Sequence, residues 1–169
     1  MSDLERLLDE LRPVAFAIAY RMLGSVAEAE DVVQEAALRA FRFFEGFRGE
    51  NSRAWFLRIV RNTAFTALKR NRMDEETVVF DEELNGGQIP PLDPGVVLDR
   101  AHDQQTVRAA IDQLPAEFRE AITLRELEGM SYKEIADIAG VPIGTIMSRL
   151  ARARRQLQLL LTKTYTENK

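Results

Sequence analysis

The stretch SYKEIADIAGVPIGTIMSRLARARR, Ser131 to Arg155, admits few folds other than two helices set across a tight turn. Ser131 and Glu134 have the S-x-x-E spacing of a capping box, in which each side chain satisfies a free backbone N–H. Ile135, Ala136, Ile138 and Ala139 give the short first helix one apolar side. Gly140 offers the left-handed stop, and Pro142 pre-sets the first turn of the next helix. There Ile146, Leu150, Ala153 and Leu157 recur at helical spacing as an inward stripe. Thr145, Ser148, Arg149 and Arg152 fall on the other side, where a DNA major groove sits against such a unit.

A DNA-binding reading has to meet the net charge of −4. Divided along the chain, residues 1–73 carry 12 basic and 10 acidic side chains, residues 74–103 one and nine, and residues 104–169 ten and eight. The acidity is therefore confined to one segment between two mildly basic parts. That segment also gathers prolines and glycines with little periodicity, so it reads as a flexible acidic linker. With no cysteine and one histidine, His102 in the linker, the chain has no disulfide, no thiolate or histidine metal site and no Ser-His-Asp triad. No apolar run approaches the roughly 20 residues of a membrane span, and the acidic N-terminus is unlike a signal peptide.

The flanking parts read as all-α. Ser2 and Glu5 cap a first helix with Leu4, Leu7, Leu8 and Leu11 as its stripe, and Pro13 is expected to kink or restart it before Gly24. Ser25 and Glu28 form a second capping box, opening a helix to about Glu45 with Val33, Ala37, Ala40 and Phe44 on its apolar side. Asn51 or Ser52 caps a third helix, about Arg53 to Arg72, with Trp55, Ile59, Ala64 and Leu68 inward. After the linker, helical signals resume at Gln104, break at Leu114-Pro115 and continue through Phe118, Ala121, Ile122 and Leu124 to Gly129. The expected fold is two small helical domains, 1–73 with three to four helices and 104–169 with four, joined by linker 74–103.

Two further surfaces carry chemistry. On the second helix Asp31, Gln34, Glu35, Leu38, Arg39 and Arg42 form a mixed-charge face with an apolar centre. Periodicity leaves it open whether this is a solvated face or a protein docking site. Between Arg48 and Arg72 stand seven basic residues and one acid, interleaved with Trp55 and Phe56. Arg58, Arg61, Asn62 and Lys69 suit phosphates, and a glycine-bearing loop beside aromatics suits an unstacked base, at about 1–3 kcal/mol per stacked base.

At this point the chain resembles a bacterial sigma factor of the extracytoplasmic-function (group IV) family, a branch of the sigma-70 family. AYRMLGSVAEAEDVVQEAALRAFRFFEGFRGENSRAWFLRIVRNTAFTALKRNR looks like region two, and DQLPAEFREAITLRELEGMSYKEIADIAGVPIGTIMSRLARARRQL like region four. The resemblance implies that Asp31, Gln34, Glu35, Leu38 and Arg39 contact the β′ clamp coiled coil of core RNA polymerase, with region four meeting the β flap. It implies that Phe47, Arg48, Gly49, Glu50 and Asn51 capture a flipped minus-ten base, flanked by Trp55, Arg58, Arg61 and Asn62. Thr145, Ser148, Arg149, Arg152 and Arg154 match the positions that read or grip the minus-35 duplex. It further implies a cytoplasmic promoter-recognition and melting subunit with no catalytic activity or cofactor, a linker that occupies polymerase channels, and an anti-sigma factor as partner. One residue departs from the pattern: Met147 stands where many relatives carry Lys or Arg, so bidentate guanine readout is lost there. An apolar contact to a thymine methyl, or none, remains open. The alternative to this reading is a stand-alone helix-turn-helix regulator, in which the Asp31–Arg39 face and the Phe47–Asn62 loop have no purpose.

Overall fold

A computed structural model describes residues 2–74 and 104–167, and every regular element among them is helical. The N-terminal unit has α1 (Asp3–Leu23), α2 (Val26–Phe43), a single 3-10 turn (Phe44–Gly46) and α3 (Ser52–Asp74). The C-terminal unit has α4 (Gln104–Asp112), α5 (Ala116–Ile122) with a π-helical extension (Thr123–Leu127), α6 (Tyr132–Ala139) and α7 (Ile143–Glu167). The expected linker lies, beyond Asp74, outside the described residues.

Local chemistry sets the helix ends. Ser2 Oγ accepts from Glu5 N–H (3.2 Å) while Glu5 Oε2 accepts from Ser2 N–H (2.7 Å), a complete reciprocal box. The two later S-x-x-E sequences form the serine half: Ser25 accepts from Glu28 N–H and Ser131 from Glu134 N–H. Glu28 instead accepts a bond from Asn71 Nδ2 (3.0 Å), tying α2 to the far end of α3. Gly24 and Gly140 close α1 and α6 at φ +71°, a left-handed conformation that costs an L-residue roughly 1–2 kcal/mol.

Pro13 does not interrupt α1, which runs unbroken through it. The proline is exposed, so the Asp9 carbonyl that loses its N–H partner faces water. In α2 the inward line is Ala29, Val32, Ala36 and Ala40, with Val33 and Ala37 at its margin rather than at its centre. Alanine at the contact lets α2 lie close to α1 and α3, with which it packs mutually. In α3 the core residues are Ala54, Phe56, Leu57, Val60 and Ala64, so Trp55, Ile59 and Leu68 lie at its edge. The inner stripe of α7 is as expected, with Ile146, Leu150, Ala153 and Leu157 all buried. Each large apolar side chain so buried contributes about 1.5–3 kcal/mol.

The two units also touch. α3 packs against α6 and α1 against α5, so the buried apolar residues of both units form one continuous cluster. Among the described residues no helix is long and apolar enough to cross a membrane.

Candidate nucleic-acid and polymerase interfaces

The outward face of α2 presents Asp31, Gln34 and Leu38 to solvent. Leu38 is 69 % exposed, and Phe41, less than a turn further on, is 50 % exposed. Phe41 was not singled out from the sequence, although its i+3 spacing from Leu38 is a readable signal. Glu35 and Arg39 pair at 2.7 Å, and Arg39 Nη1 also donates to the buried Thr63 Oγ1 (3.4 Å), so Arg39 is braced from two sides. The result is a polar rim around an apolar centre.

The loop that follows is built around aromatic contacts. Phe47 lies 4.9 Å from Trp55 and Phe44 lies 6.0 Å from it, ring centroid to ring centroid. Gly49 sits under the Phe47 ring: a Cβ there would come within 2.7 Å of Phe47 Cε2. Asn51 Oδ1 accepts from Ala54 N–H (3.0 Å) and so acts as the α3 cap. Arg48, Glu50 and Asn51 are exposed, and Phe47 and Trp55 are half-buried. Phe56 points fully into the core.

Arg58 and Arg61 are turned toward the C-terminal unit. Arg58 Nε donates to the Asp137 carbonyl oxygen (2.7 Å), and its guanidinium lies in ordinary contact range of a Cβ placed on Gly140. Arg61 Nε pairs with Glu120 at 2.8 Å, its Nη1 donates to Asn62 Oδ1 (3.2 Å), and its guanidinium covers the Phe65 ring at 4.0 Å. The Glu120 side chain is 2 % exposed. Burial raises its pKa above the ordinary carboxylate range, opposed by the charge and hydrogen bond of Arg61 and by the charge of Arg149. Arg119, beside it, donates through Nη1 to the Arg21 and Met22 carbonyls (3.0 and 2.9 Å) and through Nη2 to the Leu114 carbonyl (3.0 Å). Arg21 in turn faces Asp112 at 3.6 Å. Arg21, Arg119 and Glu120 escaped the sequence reading because their partners lie tens of residues away and no local spacing marks them.

On α7 one side is open to solvent: Ile143, Gly144, Met147, Ser148, Ala151, Arg152 and Arg155. Of the residues expected at duplex DNA, Ser148 and Arg152 lie on it and Thr145 is half-buried at its margin. Arg149 is 16 % exposed and pairs with Glu117 (3.7 Å), while Arg154 pairs with Glu126 (2.9 Å). These two arginines therefore brace α7 against the α5 segment. Arg155 joins the open face although it was not among the expected positions.

Residues 7–73 match the Sigma-70 region 2 family model, and residues 104–157 match Sigma-70 region 4. The chain is 37 % identical over 148 residues to the RNA polymerase sigma-H factor of Pseudomonas aeruginosa, covering 83 % of this chain and 77 % of that factor. The chain belongs to the sigma-70 family, as an extracytoplasmic-function sigma factor. It is also 33 % identical over 171 residues to the ECF RNA polymerase sigma factor SigE of Mycolicibacterium smegmatis, covering 99 % of this chain but 65 % of that factor's length. In structure this sigma factor is similar to RpoE of Bartonella quintana, solved in complex with the anti-sigma factor NepR. The TM-score is 0.70 at 34 % identity, over 96 % of this chain and 98 % of that one.

Proposed function

We propose that this group IV sigma factor docks on core RNA polymerase through Asp31, Gln34, Glu35, Leu38 and Arg39 of α2, with Phe41 enlarging the apolar centre. The C-terminal unit meets the β flap. Phe47, Arg48, Gly49, Glu50 and Asn51 hold a flipped minus-ten base against Trp55, while Arg58, Arg61 and Asn62 follow the melted strand. A pocket that stacks the extruded base offsets the cost of unstacking it, a few kcal/mol. Thr145, Ser148, Arg149, Arg152 and Arg154 serve the minus-35 duplex, with Ser148 and Arg152 toward the bases and phosphates and Arg149 and Arg154 fixing the pose of α7. The factor acts in the cytoplasm, without catalysis or cofactor of its own, and is held in check by an anti-sigma factor. The solved complex of the Bartonella quintana relative with NepR supports that last assignment.

The observation that carries the reading is that one chain presents a polar-rimmed apolar docking face, an aromatic loop beside arginines and a basic open face on α7. A stand-alone operator-binding protein uses only the third. Arg61 cannot pair with Glu120 and neutralise a phosphate at once, so promoter engagement requires α3 to leave the C-terminal unit. Reconstitution with core polymerase tests the function: promoter-specific transcripts are expected from a genomic template library. Transcripts no more specific than those from core alone would refute it.

A further inference from the structure

Resting on the promoter-binding reading above, we infer that Met147, backed by Ile143, is a base-specificity residue that reads thymine C5-methyl groups in the upstream element. On α7 the core is already filled by Ile146 and Leu150, at 0 % and 1 % exposure, yet Ile143 and Met147, on the flank of that stripe, stand 45 % and 54 % exposed. Single exposed apolar residues are ordinary on soluble proteins. This pair differs in its neighbours: Ser148, Arg152 and Arg155 share the same open face, and Gly144 between them has nothing within 4 Å of the place a Cβ would take. Neither the intradomain ion pairs of Arg149 and Arg154 nor the contacts between the units cover it.

The face is thus a narrow apolar stripe, Ile143, Met147 and Ala151, running beside a polar and cationic one. A basic face of this kind is complementary to phosphates, and it sits at the N-terminal half of the helix, the part that reaches base edges in helix-turn-helix docking. Among the groups exposed in the major groove, the thymine methyl is the apolar one. Ile143 and Met147 are four residues apart, about 6 Å along the axis, which is within reach of base pairs one or two steps apart at about 3.4 Å each. The unbranched, polarisable thioether of methionine adapts to a methyl without demanding one rigid pose.

The test uses holoenzyme assembled from core polymerase and the full chain. Upstream duplexes are first selected from a pool randomised over the minus-35 hexamer, with a fixed minus-ten element. Each thymine of the selected duplex is then replaced by deoxyuridine, which removes only the methyl. The wild type is expected to lose about fourfold in affinity at one or two neighbouring positions, equivalent to about 0.8 kcal/mol for one buried methyl. Met147→Ala is expected to abolish that sensitivity, and Met147→Lys to shift selection at the same position toward guanine. A selected element without thymine there, indifference of the wild type to deoxyuridine, or full sensitivity retained in Met147→Ala would each overturn the assignment. Holoenzyme that selects no element over scrambled duplex would instead overturn the promoter-binding reading itself. Since Met147 is 54 % exposed, an unchanged melting temperature of both variants separates loss of readout from loss of fold.

Discussion

Glu120 shows most clearly how much a single side chain can govern. It is buried between the units against Arg61, with Arg149 and Glu117 as its other charged neighbours. Its pKa is raised above 4.5, first by burial, so the folded chain holds the proton more tightly than the unfolded chain does. The stability it contributes is therefore complete below the unfolded value and is lost as pH rises through the raised one. Glu120→Gln, neutral throughout and still able to accept from Arg61, is expected to lose this dependence. Its unfolding free energy should gain on that of the wild type between about pH 4 and about pH 7, measured by urea denaturation at each pH. Parallel curves would refute the burial argument. Arg61→Ala should do the reverse at neutral pH, costing about 3–5 kcal/mol by leaving a buried carboxylate without its partner. None of this is written locally in the sequence. The arginines of α3 are legible as cations lacking acids within their own helix, but the acid that answers Arg61 is 59 residues away.

At the scale of the element, what the sequence discloses depends on how local the determinant is. The backbone of the α6–α7 pair was readable because cap, stop and stripe are all short-range: Ser131, which forms the serine half of the expected box, Gly140 at φ +71°, and the buried line from Ile146 to Leu157. The inner face of α2 was misplaced by one residue because Val33 and Phe44 are the larger apolar groups. Close packing kept the expected Ala40 and set Ala29 and Ala36 in line with it, each 0 % exposed, since only small side chains let three helices approach. Pro13 was overread, since an exposed proline leaves its orphaned carbonyl to water. On α7 the periodicity located the helix face, but it did not distinguish Arg152, which is open, from Arg149 and Arg154, which are spent on Glu117 and Glu126. The alanine contact makes a quantitative claim: Ala36→Leu should destabilise the N-terminal unit by about 1–3 kcal/mol through overpacking. Glu30→Leu, on the exposed side of the same helix, should change it by less than about 0.5 kcal/mol. Equal effects in thermal melts would show that the α2 contact is looser than the structure has it.

At the scale of the whole molecule, the contact between the units engages Arg58 and Arg61, the arginines that the proposed function assigns to the melted strand. Separation should follow from placing a cation against Arg61. The chain has no cysteine, so labels at Asp9→Cys and Lys133→Cys, both on exposed positions, report the distance between units directly. Glu120→Lys is expected to lengthen and broaden that distance relative to the wild type, and an unchanged distribution would show that other contacts hold the units together. The molecule also carries a gauge of its own. The Arg119 guanidinium, from the C-terminal unit, closes the carbonyl end of α1 in the N-terminal one through the Arg21 and Met22 oxygens. One domain thus finishes the other's helix, and parting them leaves that last turn to fray. Amide exchange at Met22, Leu23 and Gly24 becomes an unlabelled meter of opening, rising as the units part while Ala15 to Ala19 stay protected.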